Sequence, residues 1–339
     1  MGAPQVVRAP ATRPRGWHPG GAARHAGAVR RPTLSPPAYR RITLVALALL
    51  GIIVFTGAGV RLTGSGLGCS TWPSCEPGSF VPHAESGIHG TIESTNRYFT
   101  GLVSAGVVLA VAGSFFRVPR RRDLTRWSWT LVAGVAGQIV LGGLTVLFHL
   151  SPPFVMGHFL LSAVLVGSAV VLHHKAGEPD AGERRPVATR EVRFLAWLLL
   201  VAASVVLVTG TVVTGTGPHG GDEDVARLDL FLPDVVRVHS VAVWILLAAT
   251  LWTLHLVRRG GASPSVERAL RALVVVEVAQ GAIGYVQYAA GVPVGLVAAH
   301  IVGSMLVLGV TITVLLRTTV VGPASQPAPR QPDAVPTGV

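Results

Sequence analysis

Charge is scarce in this chain of 339 residues. Only 13% of the residues are charged, whereas 50% are hydrophobic and the mean hydropathy is +0.55. A water-soluble protein of this length could not hide so much apolar surface in one core, so a soluble globular protein is excluded. The composition instead predicts a membrane protein that crosses the bilayer several times.

Acidic residues are absent from the segment 1–41, which holds eight Arg and many Pro, Gly and Ala. Such a segment cannot bury enough apolar surface to fold, and we predict a disordered basic cytoplasmic tail over 1–41. A signal peptide is not expected, because the apolar run that follows has about nineteen residues and no small-residue cleavage motif. The Pro-rich segment 318–339 is predicted to be a second disordered tail.

Long apolar runs fill the rest of the chain. Eight runs of roughly 17 to 25 residues can each cross about 30 Å of hydrocarbon at about 1.5 Å per residue. They lie at 42–60, 95–116, 127–148, 154–174, 193–214, 236–257, 267–288 and 294–316. The fold class is therefore an all-α membrane protein with eight transmembrane helices.

Basic residues are nearly missing from half of the connections. The two tails and the loops 117–126, 175–193 and 258–271 hold 24 of the 28 Lys and Arg residues. The exceptions are Arg61, Arg97, Arg227 and Arg237. By the positive-inside rule both termini are cytoplasmic, and the two long loops face outward in the cell membrane. Topology thus explains the net charge of +12, and nucleic acid is not an expected partner.

The chain contains an internal duplication. The segment 138–158 is repeated as 280–300, and in both copies a Gln is followed twenty residues later by a His. Gly142 and Gly284 match as well. Two tandem, pseudo-symmetric four-helix bundles follow, over 42–175 and 193–317, joined by a cytoplasmic linker over 176–192.

The duplication places polar residues at matched depths near the outer side. Asn96 and His239 precede the later His of their half by 62 and 61 residues, so Asn96 occupies the position of His239. His239 and His300, facing each other across one bundle, could form a bis-histidine haem site. Ionisable or polar groups inside a membrane are functional candidates, which adds Glu93 and His158 to the set.

Other polar residues have simpler interpretations. Cys69 and Cys75 are the only cysteines, and on the oxidising outer side they are expected to form a disulfide, either structural or redox-active. Glu93 could be an interfacial carboxylate paired with Arg97. Glu277 lies near mid-membrane and must be paired or protonated. The remaining histidines of the loops and helix ends are expected to be satisfied by water or by local hydrogen bonds, and these are His83, His89, His149, His173, His174, His219 and His255.

At several of these residues the chain resembles the haem A synthase family. The similar segments are GSGLGCSTWPSC at 64–75, the Glu-x-x-x-Arg motif at 93–97, QIVLGGLTVLFHLSP at 138–152, VVTGTGPHGGD at 212–222 and QYAAGVPVGLVAAH at 287–300. The resemblance extends over about 41–317, the whole membrane part of the chain. The cysteine pair in the first outer loop is similar to that of actinobacterial-type members.

The resemblance implies an oxidoreductase that converts the C8 methyl group of haem O to a formyl group, giving haem A for aa3-type oxidases. His239 and His300 would bind the iron of a haem b cofactor in the second half. The first half would hold the substrate haem O, with His158 as an iron ligand and Glu93 as the catalytic residue. The cysteine pair would take part in electron delivery.

One position departs from the family pattern, because many members have Glu-x-x-His-Arg where this chain has Asn96. Asn is a poor haem ligand, so we predict that His158 is the single strong protein ligand to substrate iron. Asn96 would then hydrogen-bond a water or leave its face open, unless His89 bends in from the loop. Expected partners are the haem O substrate and membrane lipid, and haem O synthase, an electron donor and a second copy are candidates.

Two other function classes fit part of the pattern. A membrane di-haem electron-transfer cytochrome would carry the same histidine pairs, but it leaves Glu93 unexplained. A haem-handling protein or transporter would explain an outward-facing site, and it predicts no aldehyde product.

Overall fold

The structure is a computed structural model that describes Gly2 and residues 33–322. Within 33–322 there are eight long α-helices and two short β-strands. The helices are α1 (Pro36–Leu62), α2 (Gly87–Phe116), α3 (Arg122–Leu147), α4 (Pro152–Ala176), α5 (Arg190–Thr216), α6 (Leu232–Leu256), α7 (Pro264–Ala289) and α8 (Val294–Leu316), and the strands are β1 (Glu183–Pro186) and β2 (Thr319–Gly322). The eight predicted spans are confirmed.

Several helices begin at a different residue from the predicted apolar run, and the residues at the helix starts explain this difference. Helices α1, α4, α6 and α7 each have a Pro in the first two positions, where the missing amide would have had no helical partner. The Ser35 side chain accepts a hydrogen bond from the Ala38 amide, so α1 begins at Pro36, before its apolar run. Helix α2 begins at Gly87, eight residues before the predicted start, and therefore includes Glu93.

Part of the segment that we expected to be a disordered C-terminal tail forms a strand. β1 lies in the predicted linker and pairs antiparallel with β2, which lies in the predicted C-terminal tail. Both strands are four residues long, and neither has the apolar alternation that would mark a strand in the sequence. Most of the predicted N-terminal tail, and residues 323–339 of the C-terminal one, lie outside the described residues.

The helices form two bundles of four. In the first, α1 packs on α2, α2 on α3, α3 on α4 and α4 on α1, and α5 to α8 repeat this order. The bundles meet through α4 and α8, with α1 also on α8 and α5 on α4. Gly167 allows the close α4–α8 contact, because a Cβ there would lie 2.9 Å from Ile312 Cδ1. The two tandem pseudo-symmetric bundles are thus confirmed.

Large apolar side chains cover the outside of both bundles. Examples that are about half exposed or more are Phe55, Leu102, Trp129, Val201 and Ile245. All eight helices are long and apolar enough to cross a bilayer, so the chain is a multi-pass membrane protein. We name the end that carries the connections 63–86 and 217–231 the loop end, and the end that carries β1 and β2 the terminal end.

Candidate functional site

A cavity of about 1180 Å³ lies between the helices and is lined by both bundles. Its volume exceeds the roughly 300–1,000 Å³ of common small-molecule sites, so it can take a ligand larger than most metabolites. The wall includes five residues that the sequence singled out, namely Glu93, Asn96, His158, His239 and His300. The predicted site residues of the two halves therefore share one cavity.

His239 and His300 face each other across the second bundle. Their ring centroids are 6.4 Å apart and the rings are inclined by 74°. Two metal–nitrogen bonds of about 2 Å, plus the distance from each nitrogen to the centroid of its own ring, add up to a separation of this size. His239 is the eighth residue of α6 and His300 the seventh of α8, so both lie at the same depth from the loop end. The pair fits a haem iron with two axial imidazoles.

Each ring of this pair rests on a glycine of the neighbouring helix. A Cβ at Gly210 would lie 3.2 Å from His239 Cε1, and a Cβ at Gly284 would lie 3.0 Å from His300 Cε1. Thr209 Oγ1 is 3.1 Å from His239 Nδ1, which fixes that ring and leaves Nε2 for a metal. A methyl group at either place would require the histidine ring to move by a few tenths of an ångström.

His158 repeats the arrangement in the first bundle. A Cβ at Gly142 would lie 3.2 Å from His158 Cε1, as at the matching glycine of the second half. The Gln138 side-chain amide donates to the His158 carbonyl at 3.0 Å, and Gln280 donates to the His300 carbonyl at 2.6 Å. The duplicated Gln and His of the sequence are thus in direct contact in each half.

Asn96, which corresponds to His239 of the second half, breaks the pattern that the two halves share. Asn96 Oδ1 accepts a hydrogen bond from Thr56 Oγ1 at 2.8 Å, and the amide lies on the cavity wall. Gly59 occupies the place of Gly210, yet a Cβ there would meet no atom of the described residues within 4 Å. The first half therefore presents one imidazole to the cavity, from His158, and open space beside Asn96.

Glu93 is buried at the edge of the cavity, with 5% of its surface exposed. Its Oε2 accepts a hydrogen bond from the Cys69 amide at 2.8 Å, and its Oε1 accepts one from Arg97 Nε at 3.1 Å. The expected ion pair with Arg97 is present. Both carboxylate oxygens are thus held in place, and the group is fixed rather than solvated.

A disulfide between Cys69 and Cys75 closes the loop above Glu93. Arg97 Nη1 donates to two carbonyls inside that loop, those of Thr71 at 2.9 Å and Ser74 at 3.0 Å. Both cysteines are buried. The guanidinium therefore connects the disulfide loop to the Glu93 carboxylate. Through Arg97, the loop helps to hold that carboxylate in place.

The same loop forms part of the cavity wall over the first bundle. Trp72 and Pro73 line the cavity, and Trp72 packs against Gly143 of α3, where a Cβ would lie 2.7 Å from Trp72 Cδ2. The loop thus covers the first bundle at the loop end.

Comparison with known proteins identifies the family. Residues 40–218 match COX15-CtaA, the cytochrome oxidase assembly proteins, over more than half of the chain. The chain belongs to this family. This confirms the family expected from the motifs of the first outer loop and the duplicated segments.

Similar curated proteins are named heme A synthase. The chain is 29% identical over 165 residues to the one from Alkalihalophilus pseudofirmus, covering 48% of this chain and 54% of that protein. It is 24% identical over 216 residues to one from an Exiguobacterium species, covering 61% and 69%. It is 29% identical over 177 residues to that of Halalkalibacterium halodurans, covering 51% and 58%. The chain thus spans little more than half the length of two of these relatives.

Other histidines of this family member lie away from the cavity wall. His89 is in the first turn of α2 and its Nδ1 is 2.9 Å from Ser65 Oγ, so the structure does not bring it in as a ligand. His219 Nε2 is 2.9 Å from the Val292 carbonyl, whereas we expected water to satisfy it. His173 Nδ1 is 3.0 Å from Thr43 Oγ1.

Sequence reasoning missed the partner of Glu277 and the role of two arginines. Glu277 Oε1 accepts a hydrogen bond from Thr250 at 2.9 Å, which the sequence could not show because the two residues are on different helices. Arg61 and Arg227 served only to orient the chain, but both line the cavity. Burial lowers the pKa of the Arg227 guanidinium.

Proposed function

We propose that this member of the COX15-CtaA family is a haem A synthase, an oxidoreductase that converts the C8 methyl group of haem O to a formyl group. The net conversion replaces two hydrogen atoms of the methyl group with one oxygen atom and withdraws four electrons from the carbon, which an electron acceptor outside this chain must take up. The observation that carries the proposal is a single cavity. The His239 and His300 pair of the second half lines it, and so do one histidine, His158, and the buried carboxylate of Glu93 from the first half. The names of the similar proteins support the same activity.

The two halves would have different ligands. His239 and His300 would hold haem b as a resident cofactor, since the two facing imidazoles could both bind one iron. Haem b would supply one-electron redox chemistry. Haem O would bind in the first half with His158 as its single strong protein ligand, which leaves the Asn96 face free.

Glu93 would act on the substrate side. Its carboxylate is fixed by the Cys69 amide and by Arg97, so it can take up a proton or stabilise developing positive charge at the methyl carbon without reorganising. Arg97 would orient the carboxylate. The disulfide loop would exclude water from the first bundle. Reduction of the disulfide would release the contacts of the loop with Glu93 and Arg97.

The membrane orientation follows from charge. The terminal end carries most of the basic residues, so by the positive-inside rule it would face the cytoplasm and the loop end would face outward. Haem O would then react near the outer side of the cell membrane. An electron donor and haem O synthase are proposed partners.

A di-haem electron-transfer cytochrome is less well supported. It would need two iron sites with two strong axial ligands each, whereas His158 is the only histidine that the first half presents to the cavity wall among the described residues. A haem-handling protein would not need a buried, oriented carboxylate such as Glu93.

The test is the haem content of the protein from a host that makes haem O. Extraction and mass spectrometry should give haem b together with haem A or its hydroxylated intermediate. The Glu93→Gln variant should retain haem b and lose the oxidised products, while exposed Glu85→Gln should behave as wild type. Bound haem O that is never converted under turnover would contradict the proposal.

The ligand assignment has a separate test. His158→Ala, loaded with haem O, should change the axial-ligand signature in its absorption and magnetic circular dichroism spectra. An unchanged spectrum would remove His158 from the iron.

A further inference from the structure

Two arginines meet at the loop end, where the bundles join. Arg61 is in the last turn of α1, and Arg227 lies in the connection before α6. Both line the cavity and also an adjoining recess of about 480 Å³. Their Nη2 atoms approach the same carbonyl, that of Thr214, at 3.5 Å from Arg61 and 2.7 Å from Arg227. Two positive charges are thus held side by side, one from each half of the chain.

Neither guanidinium has a carboxylate within 4.0 Å in the part of the chain that the structure describes. The other two loop-end arginines do, since Arg97 pairs with Glu93 and Arg237 with Asp234. Nor does Arg227 Nε, a buried atom, have any hydrogen-bond partner among the described residues.

Acidic residues are close but form no ion pair with either arginine among the described residues. Asp222 and Glu223 line the same recess as the two guanidinium groups, yet lie beyond ion-pair distance from both. Two neighbouring cations that are partly removed from water cost free energy unless an anion binds between them. The arrangement is therefore that of a site for an anion with more than one oxygen.

The position of the pair relates it to the histidines of the second half. Thr214, which accepts from both arginines, is one helical turn, about 6 Å, from Gly210, on which the His239 ring rests. Leu62, next to Arg61, packs with Val297, which is three residues before His300. Both arginines thus lie about one turn closer to the loop end than the histidine pair.

We propose that Arg61 and Arg227 bind the propionate carboxylates of the haem that His239 and His300 hold. This inference rests on the proposed function, since it needs a haem at that pair. A haem carries its two carboxylates on one edge, and two adjacent guanidinium groups match that edge with charge-assisted hydrogen bonds. Arg61 would then be a residue of the first bundle that binds the cofactor of the second.

The experiment compares protohaem with its dimethyl ester, which lacks both negative charges. The full chain from haem-deficient cells is loaded with either compound, and its loss into excess apomyoglobin is timed. Arg61→Gln and Arg227→Gln should each release protohaem roughly 10- to 100-fold faster and leave the release of the ester unchanged. The matched control is Arg258→Gln, which removes one positive charge at the terminal end, where Arg258 pairs with Glu267.

Three results would overturn the inference. Equal acceleration for protohaem and ester would show that the arginines only support the fold, and no acceleration for either would show that they do not touch the haem. Faster release of protohaem by Arg258→Gln as well would show a general effect of charge. If a Gln variant does not fold, Arg61→Lys and Arg227→Lys replace it, and they should still retain protohaem longer than the ester.

Failure of the proposed function has a different signature. Wild-type protein that retains neither compound, with no bis-imidazole spectrum, would contradict the haem site itself. Retention of both compounds at equal rates, with that spectrum intact, would contradict only the role of the arginines.

Discussion

Replacing Gly210 with Ala would place a methyl group against the His239 ring. The new Cβ would lie 3.2 Å from Cε1, 3.6 Å from Nδ1 and 3.9 Å from Nε2 of that ring. Carbon atoms pack at about 3.5–4.0 Å, so the ring must retreat by roughly 0.3–0.8 Å. Metal–nitrogen distances hold within about 0.2 Å, and the Thr209 contact at 3.1 Å resists the movement. An iron between His239 and His300 would therefore lose or lengthen one axial bond.

We predict that Gly210→Ala binds haem b about tenfold or more weakly, as found when groups that support metal ligands are altered. The matched control is Gly59→Ala at the equivalent position of α1, where the added Cβ would meet no atom of the described residues within 4 Å. Ala favours a helix over Gly at both places, so lost helicity cannot explain a difference.

The measurement is the haem-to-protein ratio after purification, together with the low-spin bis-imidazole spectrum. Gly284→Ala should have at least as large an effect, because its Cβ would lie 3.0 Å from His300 Cε1. A Gly210→Ala protein with full haem content and an unchanged spectrum would refute the reasoning that the glycine positions the ring.

Three further predictions concern the first half and the membrane interior. Asn96→His should add a second imidazole to substrate haem and shift its spectrum to low spin, and a spectrum like that of wild type would show that the face is blocked. Replacing Cys69 and Cys75 with Ser should lower stability by about 2 kcal/mol, from the short loop they close, and a thermal unfolding midpoint equal to wild type would contradict this. Glu277 has one hydrogen bond and no cation within 4.0 Å among the described residues, so it should be a neutral acid. Glu277→Gln should keep the fold and abolish a carboxylic-acid C=O band in the infrared difference spectrum, and a carboxylate band in wild type would count against it.

The helices and their pairing were predictable because the signal for them is long and repeated. Each span is an apolar run of membrane length, and the duplication of Gln138 and His158 as Gln280 and His300 fixed which helices correspond. The helix starts were less predictable, since the Ser35 cap and Pro36 lie before the apolar run of α1. The four-residue strands β1 and β2 have no apolar pattern to reveal them.

The candidate site was predictable in its residue types and not in its contacts. The matched depth of His239 and His300 follows from spacing along the chain, but the glycine supports require knowledge of which helix faces which. The same holds for the hydrogen bond from Thr56 to Asn96 and for the meeting of Arg61 with Arg227, because each joins residues far apart in sequence.

The contrast between Gly210 and Gly59 bears on how one bundle could give rise to two roles. Where the second half has a glycine under His239, the first half keeps the glycine but has no imidazole above it, and Asn96 turns to Thr56 instead. Under the proposed function, the filled position saturates an iron that only passes electrons. The open position beside Asn96 would leave room for a substrate haem to react near the carboxylate of Glu93. Under the proposed function, the loss of one ligand from the duplicated site would distinguish the substrate half from the cofactor half in this chain.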